Sequence, residues 1–273
     1  ICKEIEAGRG TENGGVLVDF SQTPSETLEE LTKNSKIRYL CDLGFKPLED
    51  QMEIAPSAHF TMGGILIGPG AETAVSGLYA CGEVSGGCHG ANRLAGNALT
   101  ETQVFGNIAG AKAAEHGRCN PQRDSEPCVN PVDALIGTVF ARRGSGDIQD
   151  AIDDAKRVRV IMDQNAKVIR DEYLLKTAGR RLADLGRKEF SFDVPSGNEA
   201  FDYRKIEALK LRNMILVAKA VVASALRRDE TRGAHYRQDC PLRKGEWDYC
   251  NVAVKLDCAS GEVATYVRQR GNR

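Results

Sequence analysis

The sequence predicts an α/β chain that passes into a helical bundle and closes on a short β tail. Three observations predict this. An apolar run, GLYACG (77–82), ends in glycine ahead of a glycine-rich loop, the pattern of a buried strand delivering its C-terminal end to a ligand. Helical periodicity then dominates 147–186 and 203–228, which suits a small bundle of three or four helices. Finally, WDYCNVAVKLDCASGEVATYV (247–267) reads as two strands joined at Ala259–Gly261.

Taken in order, VLVD (16–19) is a short strand. Thr23, Pro24 and Glu26 supply a cap, a first-turn proline and an early carboxylate for a helix through ETLEELTKN. MEIAPSAHF (52–60) and GGILIGPG (63–70) are strand-like and glycine-punctuated. Residues 85–96 form a loop, and a helix begins near Asn97. Gly106, Ala109, Gly110 and Ala113 give that helix one very small face suited to close packing, and Gly117 can end it. CNPQRDSEPC (119–128) has the composition of a linker, and Asn130 with Pro131 starts the next helix. Within the last long helix, MILVAKAVVASAL (214–226) is too short to span a bilayer and is interrupted by Lys219, so it is a buried helix.

The 273 residues carry a formal net charge of −1, so no global field draws the chain to nucleic acid or to an anionic membrane. Nine cysteines are present without any CxxC pair, and the reading is of reduced, mostly buried thiols in a cytoplasmic protein. No metal site is expected, since no thiol or histidine partners stand at ligand spacing. The first ten residues, ICKEIEAGRG, show neither an initiating Met nor the apolar core of a signal peptide.

One stretch does not suit a packed core. HGANRLAGNAL (89–99) sets a histidine, an arginine and two asparagines among glycines and alanines. Small residues let backbone approach a large flat ligand. An arginine there offers a planar fork that matches a carboxylate in bidentate geometry.

HFTMGGI (59–65), GLYACGEVSGGCHGANRLAGNALTETQVFG (77–106) and ETRGAHYRQDCP (230–241) resemble the flavoprotein subunits of succinate dehydrogenase and fumarate reductase, a family that also includes L-aspartate oxidase. The opening EIEAGRGTENGGVLVDF resembles the end of that family's capping domain. The resemblance implies the C-terminal part of an FAD-binding α/β domain with the end of a capping domain, followed by a helical domain and a β tail. The expected divisions are 1–50, 51–118, 129–241 and 242–273. It implies FAD as cofactor and fumarate–succinate interconversion by hydride transfer at flavin N5. By the same resemblance, His59 and Arg93 bind carboxylates of a C4-dicarboxylate, while Glu83, Ala98 and Leu99 contact the cofactor. The implied partner is an iron–sulfur electron-transfer protein, with the parent cytoplasmic and peripheral to the inner face of a membrane.

Other readings stand beside these. On residue type alone His59 is a core histidine, Arg93 a loop arginine paired with a surface acid, and Glu83 a cap or ion-pair residue. His89 is open between a structural and a catalytic role, and His116 is expected on the surface at a helix C-terminus. Arg232, His235 and Arg237 either orient the helical part on the flavin part or face solvent. A helix starting near Asn97 would point its positive end at the flavin and favour the charge of the reduced ring. No strand followed by a GxGxxG turn is found, so the chain is expected to be the C-terminal part of a longer flavoprotein. L-aspartate oxidase is the competing activity, and a non-catalytic assembly fragment is the competing class.

Overall fold

The computed structural model describes residues 1–33, 35–121, 148–187, 203–257 and 262–269. The remainder of the 119–128 linker, the helix start at Asn130–Pro131 and the strand joint at Ala259–Gly261 lie outside the described residues. The chain divides into two compact units, Ile1–Thr61 and Met62–Arg273.

In the first unit a helical turn, Cys2–Glu4, runs into a wider turn, Ile5–Arg9, where Gly8 adopts φ +76°. Strand β1 (Val16–Asp19) pairs antiparallel with β2 (Gln51–Ile54), Val16 opposite Ile54 and Asp19 opposite Gln51. Between them lie helices α1 (Ser25–Lys33) and α2 (Ser35–Asp42). Gly15 is needed where the chain enters β1, because a Cβ there would meet the Ile54 carbonyl oxygen at 2.7 Å. Since β2 closes the sheet begun by β1, this unit continues past the division expected after residue 50.

In the second unit β3 (Ile65–Leu66) and β4 (Ser85–Gly86) form a short parallel pair. The GLYACG run between them is not a strand. Tyr79 makes a single antiparallel bridge to Glu72, the Ala80 N–H donates to the Ala71 carbonyl at 3.0 Å, and Gly82 at φ +78° turns the chain away. An apolar run forms a strand only when a neighbouring backbone extends alongside it, and here the neighbour turns back after a few residues.

Helix α3 (Asn97–Cys119) begins where expected but runs through Gly117 to end at Asn120, whose backbone and side-chain N–H groups both reach the His116 carbonyl. His116 is half-buried, edge-on to Tyr79 with ring centroids 6.4 Å apart, rather than simply exposed. Of the small face only Ala109 is buried, and among the described residues nothing lies within 4 Å of a Cβ built at Gly106 or Gly110.

The bundle comprises α4 (Ile148–Asn165), α5 (Glu172–Arg187) and α6 (Tyr203–Arg227). Its core stacks Val158 and Ile161 from α4, Leu175, Ala178 and Leu182 from α5, and Leu211, Ile215 and Val222 from α6. Asp171 caps α5 through the Leu174 N–H at 2.7 Å, as a short carboxylate before a helix does. A two-residue parallel pair, β5 (Ile169–Arg170) with β6 (Tyr236–Arg237), ties the bundle to the segment after α6. The tail is the expected hairpin, β7 (Cys250–Leu256) antiparallel to β8 (Val263–Gln269). The seven described cysteines are free thiols, and against the expectation of mostly buried side chains none is buried and Cys88 and Cys119 are exposed. No described helix is long and apolar enough to cross a membrane.

Candidate functional site

His59 lies in the first unit, exposed in the stretch without regular structure after β2. The other expected site residues, Glu83, Arg93, Ala98 and Leu99, all lie in the second unit. There the chain runs from β4 through the glycine-rich loop into α3. Gly87, Gly90 and Gly96 take φ of +113°, +59° and +85°, and among the described residues no atom lies within 4 Å of a Cβ built on any of them. The loop therefore presents bare backbone with open space in front of it.

Helix α3 starts from Gly96, in left-handed conformation, with no side chain capping its first N–H groups. Uncapped amides and the helix dipole leave a positive, hydrogen-bond-donating end. Beside that end Leu99 is 76% exposed, a large apolar side chain left open at the head of a helix. Arg93 is half-buried, with Nη1 donating to the Leu94 carbonyl at 3.3 Å, while Glu83 is exposed.

Two further features position this loop, and the first was not singled out from the sequence. Glu101, in α3, is 7% exposed and accepts the Gly82 N–H at 3.0 Å, so the first turns of the helix hold the turn that carries Glu83. Its other oxygen, Oε2, is buried without a hydrogen-bond partner among the described residues. A carboxylate two residues after GNAL was the available signal. The second is the 230–237 segment, read from sequence only as orienting or solvent-facing. The Ala234 N–H donates to the Ala91 carbonyl at 3.0 Å, two residues before Arg93.

That segment is an ion-pair knot rather than a solvent-facing loop. Glu230 is fully buried and accepts from Arg228 Nε at 3.0 Å, Arg232 Nε at 2.7 Å, Arg232 Nη2 at 2.9 Å and the Lys244 N–H at 2.9 Å. Arg232 also donates to Asp248 at 2.7 Å, and the bond to Glu230 above all holds its pKa above the ordinary guanidinium value. Arg237 forks onto Asp239 with two bonds of 2.8 Å and donates to the Ala225 carbonyl in the last turn of α6. His235 Nε2 donates to the Arg228 carbonyl at 2.9 Å while Nδ1 accepts from Arg170 Nη1 at 3.2 Å. Those partners select the neutral tautomer, and burial, followed by the surrounding guanidiniums, holds its pKa below the usual imidazole value. Among the described residues no cluster of three His, Cys, Asp or Glu side chains could hold a metal ion.

Comparison with known proteins settles what kind of chain this is. Residues 155–268 match the family described as fumarate reductase flavoprotein C-term, and residues 1–99 match the FAD binding domain family. A chain of the fumarate reductase (CoM/CoB) of Methanothermobacter marburgensis is 40% identical over 250 residues, covering 90% of this chain and 44% of that one. The chain belongs to the succinate dehydrogenase and fumarate reductase flavoprotein family. Mycobacterium smegmatis Sdh1 in complex with UQ1, another member, superposes with a TM-score of 0.82 at 30% identity, over 98% of this chain and 45% of that one. The L-aspartate oxidase of Pyrococcus horikoshii is 35% identical over 207 residues, covering 76% of this chain and 35% of the oxidase. The chain thus spans less than half the length of each of these relatives.

Membership in this flavoprotein family makes FAD the cofactor against which the loop is tested. The residues fit one edge of it: a glycine backbone open to close approach, an uncapped helix N-terminus and an exposed Leu99. A flat, partly anionic ring calls for such a surface.

Proposed function

We propose that this chain forms part of an FAD-dependent oxidoreductase that interconverts fumarate and succinate, with His59 and Arg93 each binding a carboxylate of the substrate. The observation that carries the reading is the place of Arg93. A half-buried guanidinium stands in a glycine-rich loop that leads directly to an uncapped helix N-terminus. FAD, when bound, supplies the two-electron chemistry by exchanging hydride at flavin N5.

The chain's own residues bind and orient. The fork of Arg93 grips one carboxylate in bidentate geometry, and the His59 imidazole hydrogen-bonds a carboxylate. Holding a dicarboxylate by its ends fixes the carbons between them, converting a collision into a poised arrangement. Glu83 would contact FAD and the backbone of Ala98 and Leu99 would meet its flavin ring, where the positive end of α3 would favour the reduced form. The parent protein works peripherally at the cytoplasmic face of a membrane, with an iron–sulfur partner protein carrying its electrons.

A second reading has its own support in the 35% identity to the P. horikoshii L-aspartate oxidase. The complete flavoprotein containing this chain should be assayed with fumarate, succinate and L-aspartate. Fumarate reduction or succinate oxidation that falls on Arg93→Lys supports the first reading. Aspartate-dependent peroxide formation without fumarate or succinate turnover replaces it with the second.

A further inference from the structure

We propose that the turn Arg232–His235 is a positioning element for Arg93, held by the buried Glu230 knot and braced against the Ala91 backbone. The inference rests on the reading of Arg93 as a substrate-binding residue.

The turn is closed at its base by two backbone bonds. The Arg232 N–H donates to the His235 carbonyl at 2.8 Å, and the His235 N–H returns to the Arg232 carbonyl at 3.0 Å. Its tip is Gly233–Ala234. Gly233 takes φ +57° and lies so close to the substrate loop that a Cβ there would meet the Ala91 carbonyl oxygen at 2.4 Å. The Ala234 N–H donates to that same oxygen. Contact and hydrogen bond therefore converge on one carbonyl, two residues before Arg93. Gly90 on its other side is in left-handed conformation, with open space at its Cβ position. A glycine-rich loop has little rigidity of its own. The brace supplies it.

What holds the brace rigid is the knot. Arg232 at the base of the turn is clamped by Glu230 and Asp248. His235, on the other side, is fixed between the Arg228 carbonyl and Arg170. Arg237 anchors the exit to the end of α6 and to Asp239. These partners come from β5, α6 and the 239–248 segment, so the position of Ala91 is set by the bundle rather than by its own loop. The ETRGAHYR motif thereby gains a role in the site without touching substrate. Its cations are occupied in building a fixed strut, and backbone transmits the position.

The test is Gly233→Ala in the complete flavoprotein, with fumarate KM and kcat measured beside those of Arg93→Lys. Displacing the Ala91 carbonyl shifts Arg93, and KM for fumarate rises roughly tenfold to a hundredfold, with kcat falling as well. A purely structural role would reduce the amount of active protein and leave the KM of the folded fraction unchanged. If Arg93→Lys raises KM while Gly233→Ala keeps the wild-type value, the brace is wrong and the substrate reading stands. If Arg93→Lys itself leaves KM unchanged, the substrate reading fails and the brace fails with it. Should Gly233→Ala not accumulate, Arg232→Lys serves instead, since lysine keeps the charge beside Glu230 but loses the fork. A rise in fumarate KM of at least about threefold, with faster amide exchange at residues 89–93, supports the brace, following the cost of small misplacements. Unchanged KM and exchange overturn it.

Discussion

Glu230 shows how much a single buried carboxylate can organise. Burial alone would push its pKa up, but Arg232, the Lys244 N–H and Arg228 together bring it below the ordinary value, so the ionised form is the one the fold stabilises. Glu230→Gln keeps the shape and removes the charge, leaving two guanidiniums facing a neutral amide. Breaking a buried pair by removing one partner costs about 3–5 kcal/mol, and urea unfolding followed by the fluorescence of Trp247 should show a loss of that order. Trp247 reports on this region directly, because Arg228 lies 4.9 Å from its ring centroid and its Nε1 donates to Asp229 at 2.9 Å. Asp239 offers a pH test. Its fork to Arg237 lowers the pKa from 3.8 to about 2. A depressed folded pKa gives stability that is fully present above the unfolded value and lost as pH falls through the folded one. Acid unfolding of the wild type should therefore steepen between about pH 4 and pH 2, whereas Asp239→Asn should show a flatter acid limb; parallel limbs would remove this residue from the account. Neither carboxylate's role was legible in the sequence. ETRGAHYRQDC contains the pairs Glu230–Arg232 and Asp239–Arg237 but does not show that the chain folds them together, and Arg170, Lys244 and Asp248 complete the knot from elsewhere along the chain.

Among the elements, what the sequence revealed depended on whether a pattern is local. Helical periodicity needs only its own segment: α4, α5 and α6 fall within 147–186 and 203–228, although the break at β5 between α4 and α5 was not expected, and the tail hairpin appears where the 2-residue period places it. A strand needs a neighbour, so the apolar GLYACG run misled. The end of α3 was misjudged for a related reason: glycine permits a helix to stop, but the stop is made by the bonds of Asn120 to His116. The bundle's energetics follow from its packing. Leu182 and Leu211 are fully buried on α5 and α6, and truncating either to Ala should cost about 2–5 kcal/mol through lost burial plus a cavity. Val217, on the same helix as Leu211 but 61% exposed, should tolerate Ala within roughly 0.5 kcal/mol. Equal losses at Leu211 and Val217 in thermal or urea unfolding would show that this helix face is not the core.

Across the whole molecule the two units differ sharply in what could hold each of them. Of the described residues in Ile1–Thr61 only Gly15 is buried, so β1 and β2 form a two-stranded sheet with little apolar cover. Such a sheet is marginal in water, since pairing alone does not offset the entropy of ordering the backbone. The second unit contains the buried leucines, the Glu230 knot and Trp247. Local opening should therefore be frequent in the first unit and require near-global unfolding in the bundle. Native-state hydrogen exchange on this chain should find the amides of Val16–Asp19 and Gln51–Ile54 exchanging at least about a hundredfold faster than those at the centres of α5 and α6. Uniform protection would mean that the first unit draws stability from contacts beyond its own sheet. The expected difference bears on function as well. The site loop and its brace both belong to the stable unit, whereas His59 sits on the weakly held one. In the complete flavoprotein the stretch around His59 should then exchange faster than the loop of Arg93, which contacts the 230–237 segment of its own unit. Exchange measured at residues 57–61 and 89–93 gives that comparison, and equal rates would show that the contact between Ala234 and Ala91 adds no rigidity to the loop.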